Sequence, residues 1–463
     1  MEIDRFECVS PLDFRYYVPN ERLKELLGDY VTERARVRSE AMVEAAATRV
    51  LARMGICSEA VAGEVTHAAN AVTPEEVAEE EARIHHNIRA LVNSMKSYVS
   101  DDAKPFIHFT LTSFDVIDTA TAWRLKHAAL EGVIPALEEL ERVLIALARR
   151  EAETLQVGRT HGQHAVPITF GFTIAEYISR LGGRIEAIRA AAENLRGKIS
   201  GAVGAYNASS VMIEDPEEFE RLVLAEMGLQ PSPISTQVVE AEFVTDYMHM
   251  LVSCFTVLAN LADDMRNLQR TEISEVAEEF QAAQVGSSTM PHKRNPWNFE
   301  NVKSMWKQFM PRMITVYSDQ ISEHQRDLSN SASQRFLPEV IVGLTEATLR
   351  LTRIMGRLVT DEEQMRANLA MTEGMVGAEP AYILLAAYGH PDAHEAVRKL
   401  TLQAQQTDTP LGEVLQASEE LAEYWSQLTD RQREMVLDPT QYTGIAARKT
   451  RSICDMWEQR LGL

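Results

Sequence analysis

Apolar residues recur at intervals of three and four along most of the chain, which is the spacing of one face of an α-helix. Ile134, Leu137, Leu140, Leu144 and Leu147 form one such stripe. A convincing series of strands, with apolar and polar residues alternating, does not occur. The pattern therefore predicts an all-α protein.

The longest periodic segments predict long helices that pack lengthwise into an elongated bundle. At about 1.5 Å per residue, helices of about 20 to 35 residues reach about 30 to 50 Å. Their predicted ranges are 118–153, 168–196, 240–269, 297–323 and 338–358.

Shorter helices replace the long ones after residues 360–363, which have the spacing of a capping box. Proline and glycine interrupt these helices at several points. We therefore predict three helical domains: an N-terminal domain (1–105), a central long-helix bundle (106–358) and a C-terminal domain (359–463).

The charge balance restricts the function classes. The chain has 46 lysines and arginines against 68 aspartates and glutamates, a formal charge of −22. Nonspecific binding of nucleic acid is therefore not expected, and an anionic substrate requires local basic clusters. No apolar run approaches the roughly 18 residues of a membrane span. The four cysteines have no metal-type spacing, and the N-terminus lacks signal-peptide character, so we expect a cytoplasmic protein with reduced thiols.

Candidate chemistry is concentrated in polar segments between the predicted helices. The segment 284–296 has no apolar period, yet it contains two serines, a threonine, a histidine, a lysine, an arginine and an asparagine. Glycine and serine allow a backbone to point its N–H groups inward and bind an anion. Pro296 is a suitable first residue for the following helix, whose N-terminus favours negative charge.

This segment resembles the signature loop of the fumarase/aspartase superfamily. The pattern G-S-S-x-M-P-x-K-x-N is complete at residues 286–295. The version His-Lys-Arg-Asn is similar to the adenylosuccinate lyase branch and also to the carboxymuconate cycloisomerase branch. The resemblance implies Ser287 as the catalytic base, with Lys293 and Asn295 holding substrate carboxylates. It also implies a homotetramer with shared active sites and neither a metal nor an organic cofactor.

Two further polar segments resemble elements of the same superfamily. Residues 159–162, Arg-Thr-His-Gly, are similar to the element whose histidine is the general acid in the adenylosuccinate lyase branch, which implies that role for His161. Residues 108–115 resemble H-x-x-x-T-S-x-D, which implies that Thr112 and Ser113 hold a substrate carboxylate. The spacing of Thr112 and Asp115 is also that of a capping box, a purely structural role.

The resemblance also implies contacts with a nucleotide. Residues 10–16 resemble an N-terminal element that meets the phosphate, and residues 326–335 resemble R-D-x-S-x-S-x-x-x-R, a phosphate-binding element. A substrate-binding glutamine and a His-Asp pair have counterparts here, although the aspartate is replaced by asparagine. The implied substrate-binding residues are Arg15, Tyr16, His86, Asn87, Gln237, Arg326, Ser331 and Arg335.

The expected function is thus the elimination of fumarate from succinylated purine nucleotides. This reaction requires a base for a weakly acidic C–H, stabilisation of the dianion that forms, and an acid for the leaving nitrogen. Two alternatives remain. A cycloisomerase of the same superfamily has no use for phosphate-binding arginines, and a catalytically silent scaffold has no use for Ser287 and His161.

Overall fold

Helices make up most of the described part of the chain, and the all-α prediction is confirmed. The computed structural model describes residues 8–279, 289–290, 292–321, 324–325, 329–372 and 374–463. Ser287 and Arg326 lie outside the described residues.

The first ten helices are α1 (Glu21–Val31), α2 (Glu33–Arg53), α3 (Glu59–Ala71), α4 (Pro74–Ile84), α5 (Asn87–Lys96), α6 (Ser113–His127), α7 (Ile134–Arg150), α8 (Phe170–Glu193), α9 (Pro216–Glu226) and α10 (Glu242–Leu268). The remaining described helices are α11 (Trp297–Phe309), α12 (Arg312–Ser318), α13 (Leu337–Met355), α14 (Glu362–Ala370), α15 (Ala378–Ala387), α16 (Ala393–Thr407), α17 (Leu411–Ala417), α18 (Ala422–Gln427), α19 (Asp430–Leu437) and α20 (Ala446–Leu461).

Short strands pair two by two. They are β1 (Leu155–Thr160), β2 (Gln163–Thr169), β3 (Arg196–Gly197), β4 (Gln230–Pro231), β5 (Val276–Ala277) and β6 (Val359–Thr360). The pairs β1–β2 and β5–β6 are antiparallel, and β3–β4 is parallel.

Most of the long helices lie where the apolar period predicts them. The helices α8, α10 and α13 match their predicted ranges closely, and α6 continues through a π-helical turn at Ala128–Val133 into α7. The predicted helix 297–323 is wrong, because it divides into α11 and α12 at Met310 and Pro311. Proline cannot donate the backbone hydrogen bond of a helix interior and disfavours a helical conformation in the residue before it.

The β1–β2 hairpin was not predicted. Its turn places His161 and Gly162 in the left-handed region, with φ of 55° and 72°. Thr160 and Gln163 pair directly across it, so the turn has two central residues with positive φ, as tight hairpins prefer.

Helix caps were predicted with mixed success. In α4, Thr73 Oγ1 accepts from the backbone N–H of Glu76 at 3.3 Å, and Glu76 Oε2 accepts from the N–H of Thr73 at 2.8 Å. The predicted capping box at 360–363 is wrong: Asp361 caps α14 by accepting from the N–H of Gln364 at 2.9 Å. Thr360 lies in β6 instead.

The chain divides into two compact units, each made of three separate segments. The first unit comprises Met1–Glu138, Gly183–Leu258 and Ser304–Leu349, and the second comprises Glu139–Gly182, Ala259–Lys303 and Arg350–Leu463. The division into three sequence-continuous domains stays a prediction.

Each unit has its own buried core. In the first unit, α2 packs against α3 and α6, with Val43, Val50 and Val116 fully buried. In the second unit, α15, α16 and α17 enclose a cluster that includes Leu385 and Leu411. Across the described residues, no helix is both long and apolar enough to cross a membrane.

Candidate active site

A cavity of about 1040 Å³ lies within the first unit and collects residues from several of the polar segments. Seven of the predicted substrate-binding residues line it: His86, Asn87, Thr112, Ser113, Gln237, Ser331 and Arg335. These residues come from four separate parts of the sequence. The polar segments of this unit therefore converge on one cavity.

The corner between α4 and α5 places His86 and Asn87 at the cavity wall. His85 ends α4 in the left-handed region, with φ of 57°. His86 then caps α5, because its Nδ1 accepts from the backbone N–H of Arg89 at 3.2 Å. An accepting Nδ1 carries no proton, so the neutral imidazole keeps its proton on Nε2 and can donate to a ligand only from there.

Thr112 and Ser113 lie at the N-terminus of α6, close to a buried ion pair between Asp115 and Lys198. The carboxylate of Asp115 accepts from the N–H of Thr112 at 2.9 Å, as a capping residue does. It also accepts from the N–H groups of Ser200 and Gly201, each at 3.1 Å, and contacts the buried ammonium group of Lys198. The glycine-rich turn at 197–204 thus fixes the start of α6.

The segment that carries Gln237 packs against the same turn. Gly204 has φ of 77°, and a Cβ atom there would lie 2.1 Å from the carbonyl oxygen of Ser235. Only glycine allows this approach. On the other side of Gln237, the N–H of Val239 donates to Asp118 Oδ2 at 2.8 Å.

Arg335 lies on a short 3₁₀ turn, Ser333–Phe336, directly before α13, and Ser331 lies two residues before this turn. Ser333 Oγ donates to Asp319 Oδ2 at 2.8 Å, and Asn330 Nδ2 donates to the Asp319 carbonyl oxygen at 2.7 Å. These bonds hold the turn, while the exposed side chain of Arg335 forms no ion pair with any described residue. An exposed guanidinium at a cavity wall suits an anion.

Another arginine at the cavity wall is already neutralised. Arg36 donates to the buried carboxylate of Glu40 at 2.9 and 3.0 Å and to Glu33 at 2.7 Å. Burial raises the pKa of Glu40, and the positive charge of Arg36 opposes that rise. This arginine therefore contributes little net charge to the cavity.

The N-terminal arm reaches the cavity with residues other than those predicted. Asp13 and Tyr17 line the wall, whereas Arg15 is exposed and neither it nor Tyr16 belongs to the lining. The arm is a π-helical segment, Leu12–Tyr17, in which neighbouring side chains point in different directions.

In the second unit, His161 occupies the exposed tip of the β1–β2 hairpin. His164 lies at the third position after it, opposite Arg159 across the hairpin. Burial and the positive charge of Arg159 lower the pKa of His164, while Glu275 opposes this shift. His161 and His164 are both exposed, so both imidazoles of the hairpin are accessible to a substrate.

Lys293 and Asn295 lie in the same unit, on the segment that leads into α11. The N–H of Lys293 donates to the Met290 carbonyl oxygen at 3.0 Å, which forms a turn with its side chain exposed. The N-terminus of α11 binds a negative charge, as expected, but this charge is the carboxylate of Glu278, a residue of the protein itself. Glu278 Oε1 accepts from the N–H groups of Asn298 and Phe299 at 3.0 and 3.1 Å. Those two amides are therefore not available to a substrate.

His108 has a structural partner. Its Nδ1 lies 2.7 Å from Glu44 Oε1, and its backbone N–H donates to Glu44 Oε2 at 2.8 Å. Burial lowers the pKa of His108, but the Glu44 carboxylate outweighs this effect, so the pKa is raised overall. This pair holds the segment before Thr112. It gives His108 a structural role, which the capping-box spacing of Thr112 and Asp115 does not.

Sequence reasoning missed the buried charges beneath these segments, namely Glu44, Lys198, Glu275 and Glu278. Glu44 lies within α2, Lys198 lies in the glycine-rich turn, and Glu275 and Glu278 flank β5. The sequence around these residues has no pattern that predicts a buried charge. The one available signal was a charged residue in a largely apolar or glycine-rich setting, as with Lys198. Across the described residues, no group of three or more His, Cys, Asp or Glu side chains is arranged to hold a metal ion.

Comparison with known proteins agrees with this geometry. A family model described as lyase matches residues 14–310, and one described as adenylosuccinate lyase C-terminal matches residues 322–443. The adenylosuccinate lyase of Pyrococcus horikoshii is 36% identical over 458 residues, covering 98% of each chain. That of Methanothermobacter thermautotrophicus is 33% identical over 458 residues, covering 97% of this chain and 98% of the relative.

Solved structures share the fold. The 3-carboxy-cis,cis-muconate lactonizing enzyme from Pseudomonas putida has a TM-score of 0.82 at 24% identity, covering 98% of this chain and 100% of that one. A fumarate lyase from Mesorhizobium sp. BNC1 has a TM-score of 0.81 at 23% identity, covering 94% and 98%. The likeness at this identity concerns the fold alone.

The helical fold and the lyase match over residues 14–310 define an enzyme of the lyase class. The relatives at 33% and 36% identity, together with the C-terminal match, narrow this class further. The chain belongs to the adenylosuccinate lyase family, and the family predicted from the signature loop is confirmed.

Proposed function

We propose that the enzyme releases fumarate by β-elimination from adenylosuccinate, giving AMP, and from SAICAR, giving AICAR. The observation that carries this proposal is the cavity of the first unit. It joins Thr112 and Ser113 at a helix N-terminus to Ser331 and Arg335 on another segment. A helix N-terminus suits a carboxylate, and an exposed arginine suits a phosphate.

The chemistry requires two proton transfers and one anionic intermediate. Ser287, as the alkoxide, removes a proton from the CH₂ carbon of the succinyl group, the carbon β to the leaving nitrogen. A dianion forms at the carboxylate next to that carbon. Lys293 and Asn295 hold its carboxylate oxygens, with Thr112 and Ser113 on the other carboxylate. His161 then protonates the nitrogen as the C–N bond breaks, and fumarate leaves. Histidine suits this step because its pKa lies near neutral pH.

The proposal assigns the nucleotide to the remaining predicted residues. Arg326, Ser331 and Arg335 bind the phosphate, together with Arg15 and Tyr16 of the N-terminal arm. Gln237, His86 and Asn87 contact the rest of the nucleotide. In this role the neutral His86 donates from Nε2, because the cap bond occupies Nδ1.

The proposal includes a homotetramer with shared active sites. Support comes from a row of exposed apolar side chains at Met310, Ile314, Tyr317 and Ile321, spaced by four, three and four residues. Ile314 and Ile321 are 71% and 81% exposed. This is the spacing of a helix-packing seam, and such a row is costly to leave in water. We also propose a cytoplasmic location, in keeping with cysteines that lack any disulfide- or metal-type spacing.

A carboxymuconate-type cycloisomerase is the alternative that shares the fold. It has no phosphate to bind, so Arg335 and Ser331 at the cavity wall favour the nucleotide lyase. A catalytically silent scaffold has no reason to keep Ser287 and His161.

Fumarate release, followed by ultraviolet absorbance, tests the proposal. The parent enzyme should act on adenylosuccinate and on SAICAR and should leave carboxymuconate unchanged. Ser287→Ala and His161→Ala should each lower kcat by about 10³-fold or more while the protein stays folded. Turnover of carboxymuconate alone, or near-normal turnover by Ser287→Ala, contradicts the assignment.

A further inference from the structure

A buried carboxylate joins three chain segments beneath the hairpin that carries His161. Glu275 is fully buried. It accepts from the two terminal nitrogens of Arg159 at 2.6 and 3.2 Å, from Gln156 Nε2 at 2.8 Å and from Asn368 Nδ2 at 2.9 Å. Gln156 and Arg159 lie on β1, Asn368 lies on α14, and Glu275 directly precedes β5.

The partners of Glu275 are themselves held in place. Gln156 Oε1 accepts from Thr173 Oγ1 at 2.6 Å, which fixes the orientation of the amide. Asn368 Nδ2 also donates to the Ile273 carbonyl oxygen at 2.8 Å. The carbonyl oxygen of Glu275 accepts from the N–H of Asp361 at 3.0 Å. Glu275 is therefore held through both its side chain and its backbone.

This network reaches the hairpin tip through β1. Arg159 lies two residues before His161 and is paired with His164 on β2. Because the turn has only two central residues, a shift of Arg159 along or about the strand moves the imidazole of His161 as well. The reaction described above assigns no role to Glu275 or Arg159.

We propose that Glu275 and Arg159 are positioning residues that hold the β1–β2 hairpin and thereby fix the position of His161 at its tip. The inference rests on the proposed function, in which His161 is the general acid.

Other charged groups on the elements that pack against the hairpin have different environments. On α14, Glu362, Glu363 and Arg366 are exposed to solvent. On α20, Arg451 pairs with Glu153 at 2.7 Å. In the turn that precedes α20, Asp438 accepts from the N–H of Thr440 at 3.0 Å. Arg159 and Glu275 are the charged groups that act on the neighbouring imidazole of His164.

Two substitutions, Glu275→Gln and Arg159→Gln, test the pair because each breaks the contact between the two side chains. In both variants kcat should fall about 10- to 100-fold, because the acid is displaced. KM should stay near the parent value, because the residues assigned to the carboxylates and the phosphate lie on other segments. The double variant should lose about as much kcat as either single variant, because the two side chains act as one pair.

A pair that only stabilises the fold gives a different result. Lower thermal stability with parent kcat for the folded enzyme, or a rise in KM as large as the fall in kcat, overturns the proposal. Asp264→Asn is the matched control, because it alters a carboxylate that accepts from Tyr177 in the same unit, away from the contacts of Glu275 and Arg159. It should lower the melting temperature and leave kcat and KM unchanged.

Charge-conserving variants cover the case in which a glutamine variant does not fold. Glu275→Asp and Arg159→Lys keep both charges but change the reach of the side chains. They should lower kcat and leave KM near the parent value, and full kcat in both overturns the positioning role. A parent enzyme that releases no fumarate would reject the proposed function instead, so the two failures are distinguishable.

Discussion

The ammonium group of Lys198 contacts the carboxylate of Asp115 inside the first unit, and the two side chains are only 0% and 1% exposed. Asp115 also accepts from the backbone N–H groups of Thr112, Ser200 and Gly201. Lys198 Nζ donates in addition to the Gly201 carbonyl oxygen at 2.9 Å. A single buried ion pair therefore ties the N-terminus of α6 to the glycine-rich turn beside it.

Asp115→Asn should strongly destabilise the protein. The substitution leaves the ammonium group of Lys198 buried without a counter-ion, and removing one partner of a buried pair typically costs about 3–5 kcal/mol. Chemical denaturation should show a loss of this order in the free energy of unfolding. The KM for adenylosuccinate should rise, because the single amide oxygen cannot accept both from Lys198 and from the N–H of Thr112.

The double variant Asp115→Asn/Lys198→Met provides the control. It removes the unpaired ammonium group of Lys198. Its loss of stability should therefore be smaller than the sum of the losses in the single variants Asp115→Asn and Lys198→Met. Additive losses would show that the two side chains do not depend on each other.

Arg335→Ala should weaken catalysis selectively for substrates with a 5′-phosphate. A charge-assisted contact is worth about 1.5–3 kcal/mol, which corresponds to a loss of about 10- to 150-fold in kcat/KM. Dephosphorylated succinyladenosine should be a poor substrate for the parent, and Arg335→Ala should hardly worsen it. The measurement is kcat/KM for both substrates with both proteins.

Arg22→Ala is the matched control for that experiment. Arg22 is an exposed arginine of the same unit that pairs with Glu25 at 3.4 Å and does not line the cavity. It changes the net charge equally and should leave both values of kcat/KM near those of the parent. Equal losses on both substrates in Arg335→Ala would remove the phosphate role and favour another lyase branch.

The sequence predicts the helices well because their apolar faces repeat over many turns. The helices α8, α10 and α13 bury residues such as Ile178, Leu258 and Leu344, which set the 3.6-residue period. The break between α11 and α12 at Pro311 spans only two residues. The apolar period is read over a longer stretch of sequence, so it does not show so short a break. The β1–β2 hairpin is too short to establish a period of its own.

The candidate site is less predictable than the fold. Motif resemblance identifies residues such as Thr112 and Arg335 but says nothing about what supports them. Glu275 contacts Arg159, which lies 116 positions away, and Lys198 contacts Asp115, which lies 83 positions away. Such partners become evident only once the chain is folded.

Two inactive variants should complement each other if active sites are shared between chains. Ser287→Ala and His161→Ala subunits, mixed in equal amounts after dissociation, should regain activity on reassembly. When the two residues of a site come from different chains, about a quarter of the sites receive both intact residues, one half times one half. Activity of the mixture, compared with each variant treated alone, measures this fraction. Hybrids that form but stay inactive would contradict shared sites.

Glu141→Gln should stabilise the protein increasingly as pH rises. Glu141 is fully buried on α7, and neither carboxylate oxygen has a hydrogen-bond partner among the described residues. Burial raises its pKa to about 9. The unfolded chain releases this proton near pH 4.5 and the folded chain only near pH 9, so between these values the folded state binds more protons. The stability of the parent therefore falls, by up to about 1.4 kcal/mol per pH unit.

The difference in free energy of unfolding between Glu141→Gln and the parent should widen from pH 5 to pH 8 and level off above about pH 9. Glu139→Gln makes the same chemical change at an exposed position of α7 and should show no such trend. A constant difference at all pH values would mean that Glu141 is ionised in the folded protein.

Thr110→Gly should raise stability, because Thr110 has an unfavourable conformation. Its φ is 63°, a left-handed value that is costly for a β-branched residue, and its buried hydroxyl has no partner among the described residues. Relief of strain is worth about 1–3 kcal/mol, against about 0.5–1 kcal/mol for the added freedom of glycine in the unfolded chain. Thr110→Ala removes the branch and the hydroxyl but keeps a Cβ atom, so thermal unfolding should rank threonine below alanine and alanine below glycine.

A glycine variant less stable than the parent would show that the side chain contributes more than its strain costs. Because Thr110 lies two residues before Thr112, a more stable variant with lower kcat/KM would show that this strain serves the carboxylate-binding end of the cavity.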